Sequence, residues 1–163
     1  MRMSEGVEWA LHSCLNLAWV GPEHRVTAAR LAEFYELPTA YLNKQLQALA
    51  RAGIVVSTSG PRGGFQLARD LDAITLLDVV VAIEGRDPAF RCTEIRRRGP
   101  GSDPADDYTD TCVIAHAVGT AELAWRRELA RQTLADVQTD VERKAPAVRD
   151  RTRRLLAASS LNV

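Results

Sequence analysis

The sequence predicts a mainly α-helical protein with one small β-hairpin, a winged helix-turn-helix that leads into a long dimerisation helix. Three observations predict it. Two short segments of helical periodicity, "TAARLAEFYEL" and "PTAYLNKQLQALARAG", meet at Leu37-Pro38, the layout of two helices joined by a tight turn. Two β-like runs around a Pro/Gly turn, "IVVSTSG-PRGG-FQLAR", follow at once and read as a hairpin. From Cys112 a proline-free stretch, "VIAHAVGTAELAWRRELARQ", carries apolar residues at helical spacing.

The opening "SEGVEWALHSCLNLAWV" reads as a helix. Ser4 is placed as its N-cap, with acids in the first turn. Val7, Leu11, Cys14 and Ala18 form its buried stripe, and Glu8 and His12, four apart, share another face. After the turn "GPEHRV", Thr27 caps the second helix, whose apolar side is Ala29, Leu31, Ala32 and Tyr35. Pro38 opens the third helix in its first turn. That helix buries Leu42, Leu46 and Leu49 and stops at Gly53. Two such helices also occur in ordinary helical bundles; the hairpin that follows favours the winged helix. Arg62 stands at the hairpin tip, placed for a DNA groove or as a solvated turn residue.

"TLLDVVVAIEG" is a short buried helix, and Thr75 and Asp78 have capping-box spacing. The segment from Cys92 to Cys112 then loses almost all apolar character, and its "GPGSDPADD" centre reads as an exposed loop. A loop of this length inside a compact domain is usually functional or disordered. The long helix after Cys112 places Ile114, Val118, Ala121 and Trp125 on one stripe with little else in the chain to cover it, so a second subunit is the natural cover. One more helix follows Thr133, and the tail beyond Pro146 is basic, then small and polar. The expected organisation is a DNA-binding domain over 1–85, a ligand-binding loop over 86–111, dimerisation helices over 112–145 and a tail over 146–163.

Composition sets the outer limits. Hydrophobic residues make up 46 % of the 163 and charged residues 26 %, as in a soluble globular domain. Lys+Arg and Asp+Glu are equal at 21 each, so any basic surface is local. No apolar run is long enough to span a membrane, the N-terminus lacks a secretory apolar core, and a cytoplasmic protein is expected. In that compartment a disulfide does not normally persist, so sparse cysteines point to packing, metal or redox chemistry.

The stretch "VTAARLAEFYELPTAYLNKQLQALARAGIVVSTSGPRGGFQLAR" resembles the DNA-binding half of the Rrf-type winged-helix regulators, the family of IscR and NsrR. The resemblance rests on Tyr41-Leu42, Leu46, Leu49, Ala52-Gly53, Gly60-Pro61, Gly63-Gly64-Phe65 and Leu67-Ala68-Arg69, and continues to about Val141. It implies a homodimeric transcriptional regulator, not an enzyme, whose partner is double-stranded DNA. On the recognition helix Thr39, Ala40, Asn43, Lys44 and Gln47 are left outward. Thr39, Asn43 and Lys44 can reach bases or phosphates, Tyr41 a phosphate or the helix edge, and Arg62 is the wing contact. Two departures stand out. Ser59 occupies the place before Gly60 where the family's wing usually has Arg, and the loop holds two cysteines where cluster-binding members usually have three.

A [2Fe–2S] cluster needs four ligands, and His can replace Cys on one iron. The resemblance extends to a redox-responsive member with a Cys/Cys/His/Glu-ligated cluster, and implies Cys92, Cys112, His12 and Glu8 as ligands, with the loop of one subunit meeting the first helix of the other. Trp9, beside the ligand pair, is expected to couple the redox state to the DNA-binding domain. Bare spacing leaves other sets open. Cys92, Asp110, Cys112 and His116 would suit zinc, either structural or in a small metalloenzyme. His116 could replace His12 on iron, and the cysteines could be free thiols. Cys14, on a buried stripe, is read as packing.

Overall fold

The computed structural model describes residues 3–103, 105, 108 and 112–157. Among them the chain forms α1 (Glu5–Val20), α2 (Ala28–Phe34), α3 (Thr39–Arg51), β1 (Val55–Thr58), β2 (Gly64–Leu67), α4 (Leu76–Glu84), α5 (Val113–Arg131), α6 (Leu134–Lys144) and α7 (Val148–Ala157). The core gathers around α1, which is packed by α3, α4, β2, α6 and α7. This many neighbours changes its buried face. Val7 and Cys14 are buried as expected, but Leu11 and Ala18 are only half-buried, and Ala10, Leu15, Leu17 and Trp19 are buried instead. Ser4 stands at the N-cap position, yet its side chain makes no capping bond. Its backbone N–H and its hydroxyl both donate to Glu84 Oε1, at 2.8 and 2.6 Å, tying the start of α1 to the end of α4.

In α2 the Thr27 hydroxyl accepts the Arg30 N–H at 3.3 Å, as a cap should. Leu31 and Ala32 are buried, whereas Ala29 is exposed and Tyr35 lies beyond the helix end. The turn to α3 is closed by Leu37 N–H to Ala32 carbonyl (2.8 Å), with Glu36 in the left-handed region at φ 54°. Pro38 sits at the N-cap, one place before the first turn, so its missing N–H costs no helical bond. Leu42, Leu46 and Leu49 are fully buried, each contributing about 1.5–3 kcal/mol by leaving water. Gly53 takes φ 68° and ends α3 as predicted.

β1 and β2 pair antiparallel, Val55 with Leu67 through Thr58 with Gly64. Val26 adds a bridge to Phe65, with N–H···O bonds of 3.0 and 2.8 Å in the two directions. Gly64 (φ 142°) is required there, because a Cβ would stand 2.9 Å from the Val26 backbone.

α4 and α6 start as twins. Thr75 with Asp78, and Thr133 with Asp136, form complete capping boxes. The two caps are joined by a Thr75–Thr133 bridge, with Leu76 N–H to Gln132 carbonyl (2.9 Å) and Leu134 N–H to Ile74 carbonyl (2.8 Å). This bridge carries Leu134 into the core, fully buried. The segment beyond Pro146 is ordered as α7, which buries Thr152 and Leu156 against α1 and α2; positions 158–163 lie outside the described residues. Thus α6 and α7 return to the N-terminal core, while α5 stands apart from it. α5 packs on α4 and buries only Glu122. Of its expected stripe, Ile114, Val118 and Ala121 are exposed and Trp125 is half-buried.

Candidate nucleic-acid interface and cysteine site

α3 leaves Thr39, Asn43 and Lys44 exposed to solvent, while its leucines are buried. Gln47, expected outward, is half-buried, and Gln45 is buried beneath α1. The approach is close enough that a Cβ on Gly6 would stand 2.9 Å from the Gln45 side chain. Arg62 is exposed in the hairpin turn. Tyr41 meets Trp9 edge-to-face, with ring centroids 5.1 Å apart and planes at 77°, and the Lys44 ammonium lies 5.9 Å from the Tyr41 ring centroid. A run of contacts therefore leads from Trp9 on α1 to an exposed cation on α3.

Cys92 and Cys112, twenty residues apart, lie near enough at the foot of α5 for each thiol to influence the other. Cys112 is the N-cap residue of α5. The backbone N–H groups of Ala115 and Ile114 hold its thiol below the ordinary range, helped by the charge of Arg96 and by Cys92. Cys92 accepts the Glu94 N–H at 3.4 Å, with Glu94 in the left-handed region at φ 50°. Arg96 pairs with Glu94 at 2.5 Å beside both sulfurs. Cys14 is completely buried, and burial pushes its thiol up to about 12, which suits a packing residue.

Glu8 and His12 are both exposed on α1. They edge a largely apolar groove of about 450 Å³ between α1 and α6, floored by Val7, Leu11, Leu15, Val137 and Val141. The His12 ring packs edge-to-face on Tyr35 at 5.5 Å, and Tyr35 bonds the buried Asn16 at 3.3 Å. No group of three or more His, Cys, Asp or Glu side chains suited to a metal ion gathers among the described residues. His116 therefore does not join the two cysteines, and Asp110 of the zinc alternative lies outside the described residues. Two adjacent thiols, one biased toward thiolate beside a cation, fit half of a four-ligand [2Fe–2S] set. Glu8 and His12, the two residues expected to complete the set, lie elsewhere in the same chain.

Arg96 and Tyr35 had no assigned role in the sequence. The "RRR" run at 96–98 was a visible signal for Arg96, but nothing local singles out which of the three faces the sulfurs. Periodicity puts Tyr35 on the apolar side of the second helix, and only the tertiary fold brings it to His12 and Asn16.

A helix-turn-helix whose second helix exposes polar side chains, followed by a hairpin, defines the winged-helix DNA-binding regulators. The Rrf2 profile, described as "Iron-dependent Transcriptional regulator", matches residues 3–140, and the chain belongs to the Rrf2 family. It is 30 % identical over 142 residues to the putative HTH-type transcriptional regulator YffB of Lactococcus lactis, covering 87 % of this chain and 90 % of that one. It is 33 % identical over 142 residues to the putative HTH-type transcriptional regulator YwgB of Bacillus subtilis, covering 86 % of each. The solved structure of T. potens IscR superposes with a TM-score of 0.65 over 89 % of this chain and 91 % of that one, at 22 % identity, a likeness of fold. The chain is a transcriptional regulator of this family and not an enzyme. Among the described residues no helix is long and apolar enough to cross a membrane.

Proposed function

We propose that this regulator senses redox state through a [2Fe–2S] cluster held by Cys92, Cys112, His12 and Glu8, the ligands being shared between two copies in a homodimer. The observation that carries the reading is the division of the donor set. The two thiols meet at the foot of α5, Glu8 and His12 edge a groove on α1, and no third donor joins the thiols among the described residues. A second copy completes the set if its α1 meets the cysteine loop. Exposed Ile114 (67 %) and Val118 (38 %), with Ala121 on the same stripe of α5, supply an apolar face for that copy.

Each residue has a distinct task. The N-terminal N–H groups of α5 lower the Cys112 thiol and so favour the thiolate needed for ligation, and Arg96 offsets negative charge beside the sulfurs. His12 is oriented by Tyr35. When bound, such a cluster supplies a one-electron change of charge, at a potential raised by an imidazole ligand. Trp9 adjoins Glu8 and touches Tyr41, so a shift of α1 at the ligand pair bears on α3. Thr39, Tyr41, Asn43 and Lys44 on α3, with Arg62 at the wing, contact DNA in the cytoplasm. The dimer sets the spacing of the two α3 helices on a pseudo-palindromic site.

Anaerobic purification tests the reading. Iron, sulfide and visible colour are expected, with colour lost in Cys92→Ala and Cys112→Ala and kept in Cys14→Ala. A colourless protein holding zinc, or no metal, overturns it, as does a variant pattern in which only Cys14→Ala bleaches.

A further inference from the structure

α7 (Val148–Ala157) lies beyond residues 3–140, the span matched by the Rrf2 profile. It contains four arginines, Arg149, Arg151, Arg153 and Arg154, against one acid, Asp150, in a chain whose basic and acidic residues are equal at 21 each. Packing does not need these charges. Thr152 and Leu156 bury the helix, and all four arginines are exposed. Among the described residues none of the four is in an ion pair, although Arg91, Arg96, Arg126 and Arg143 all are.

The position of α7 gives the charge a use. It packs along α2, the first helix of the helix-turn-helix, as well as α1. The Arg30 guanidinium of α2 donates to the Leu155 carbonyl at 2.5 Å. In helix-turn-helix proteins the first helix crosses the DNA backbone while the second enters the major groove. A basic helix docked on α2 stands next to that backbone. Helical spacing puts Arg151 on the α2 side with Leu155 and turns Arg154 to the outer face.

We infer that α7 is an accessory DNA-binding element, with Arg151 and Arg154 contacting phosphates that flank the site read by α3 and the wing. This rests on the reading of α3 and the wing as the DNA-binding surface. The contact is sequence-independent and extends the footprint outward from each half-site.

The test is Arg151→Ala/Arg154→Ala in the full chain, titrated against a fluorescein-labelled random-sequence duplex long enough for one dimer and its flanks. Each lost phosphate contact flattens the slope of log affinity against log salt by about 0.9. Loss of two per protomer removes about four from a dimer, so the slope should flatten by about 3.6, and the wild-type advantage should shrink roughly 150-fold between 50 and 200 mM salt. Arg151→Lys/Arg154→Lys should keep most of the slope, because lysine retains the point charge. Thermal unfolding of both variants should match the parent, since the side chains are exposed. If the parent binds the duplex and the alanine variant keeps its slope, α7 is not a DNA contact, while the reading of α3 stands. If the parent fails to bind, both fall. Loss of binding to phosphatidylglycerol vesicles with DNA binding intact overturns the proposal in favour of a membrane partner. A fall in thermal stability that accounts for the weakened binding makes the arginines structural and overturns it too.

Discussion

Removing Trp9 should uncouple the proposed redox site from DNA. Its ring sits edge-to-face on Tyr41 at 5.1 Å and 77°, and such a pair contributes about 0.5–1.5 kcal/mol beyond simple burial. If the pair forms in only one redox state, that energy is the coupling between redox state and DNA affinity. It corresponds to roughly a two- to twelvefold difference in affinity, since about 1.4 kcal/mol is tenfold. Trp9→Phe leaves a smaller ring that withdraws from Tyr41, and Trp9→Ala removes the contact. In anaerobic titrations of oxidised and reduced protein against one duplex, the affinity ratio should move toward unity, partly for Phe and by up to the full factor for Ala. The visible spectrum should remain, because Trp9 is not a ligand. An unchanged ratio in Trp9→Ala would refute the coupling. Failure of both variants to assemble the cluster would refute it as well, making Trp9 a structural residue.

Lys44→Ala and Arg62→Ala should each weaken DNA binding and flatten its salt slope by about 0.9 per lost phosphate contact, with helical content intact; unchanged affinity in both would exclude these exposed residues as contacts. Leu134→Ala should cost about 2–5 kcal/mol in chemical denaturation, because the side chain is fully buried and joins α6 to the core; a loss under about 1 kcal/mol would show that α6 is not held there. Asp136 is held below the ordinary carboxylate range, first by the Thr133 backbone N–H and then by its hydroxyl. A lowered folded value means that its contribution is full above the usual carboxylate range, near 3.8, and is lost as pH falls through the lower folded value. Acid unfolding of Asp136→Asn should therefore converge with that of the parent at the acid end, and a difference that grows as pH falls would contradict the capping role.

Much of the helix-turn-helix was legible because its signals are local. Leucines at 42, 46 and 49 mark one face of one helix, and Thr75 with Asp78 closes a capping box within four residues. The hairpin was legible from the Pro/Gly turn between two β-like runs. The stripe of α1 was misread at Leu11 and Ala18 because a single-face pattern presumes one packing partner, and α1 has several. Ser4 holds the N-cap position, but residue type indicates a bonding hydroxyl and not its partner, which is Glu84, eighty positions away.

The candidate sites divide in the same way. From sequence alone come the residue types that carry chemistry: two cysteines in a polar loop, Glu8 and His12 one turn apart, and polar residues on the outer face of α3. Tertiary structure alone decides what these meet. It brings Cys92 to Cys112 across the loop, keeps Glu8 and His12 away from them, sets Trp9 on Tyr41, and returns α7 to the flank of α2. Periodicity and capping are written over one or two turns of chain, so residues within that reach determine them. Contacts between distant segments depend on how whole faces pack, and that is settled only when the core around α1 closes.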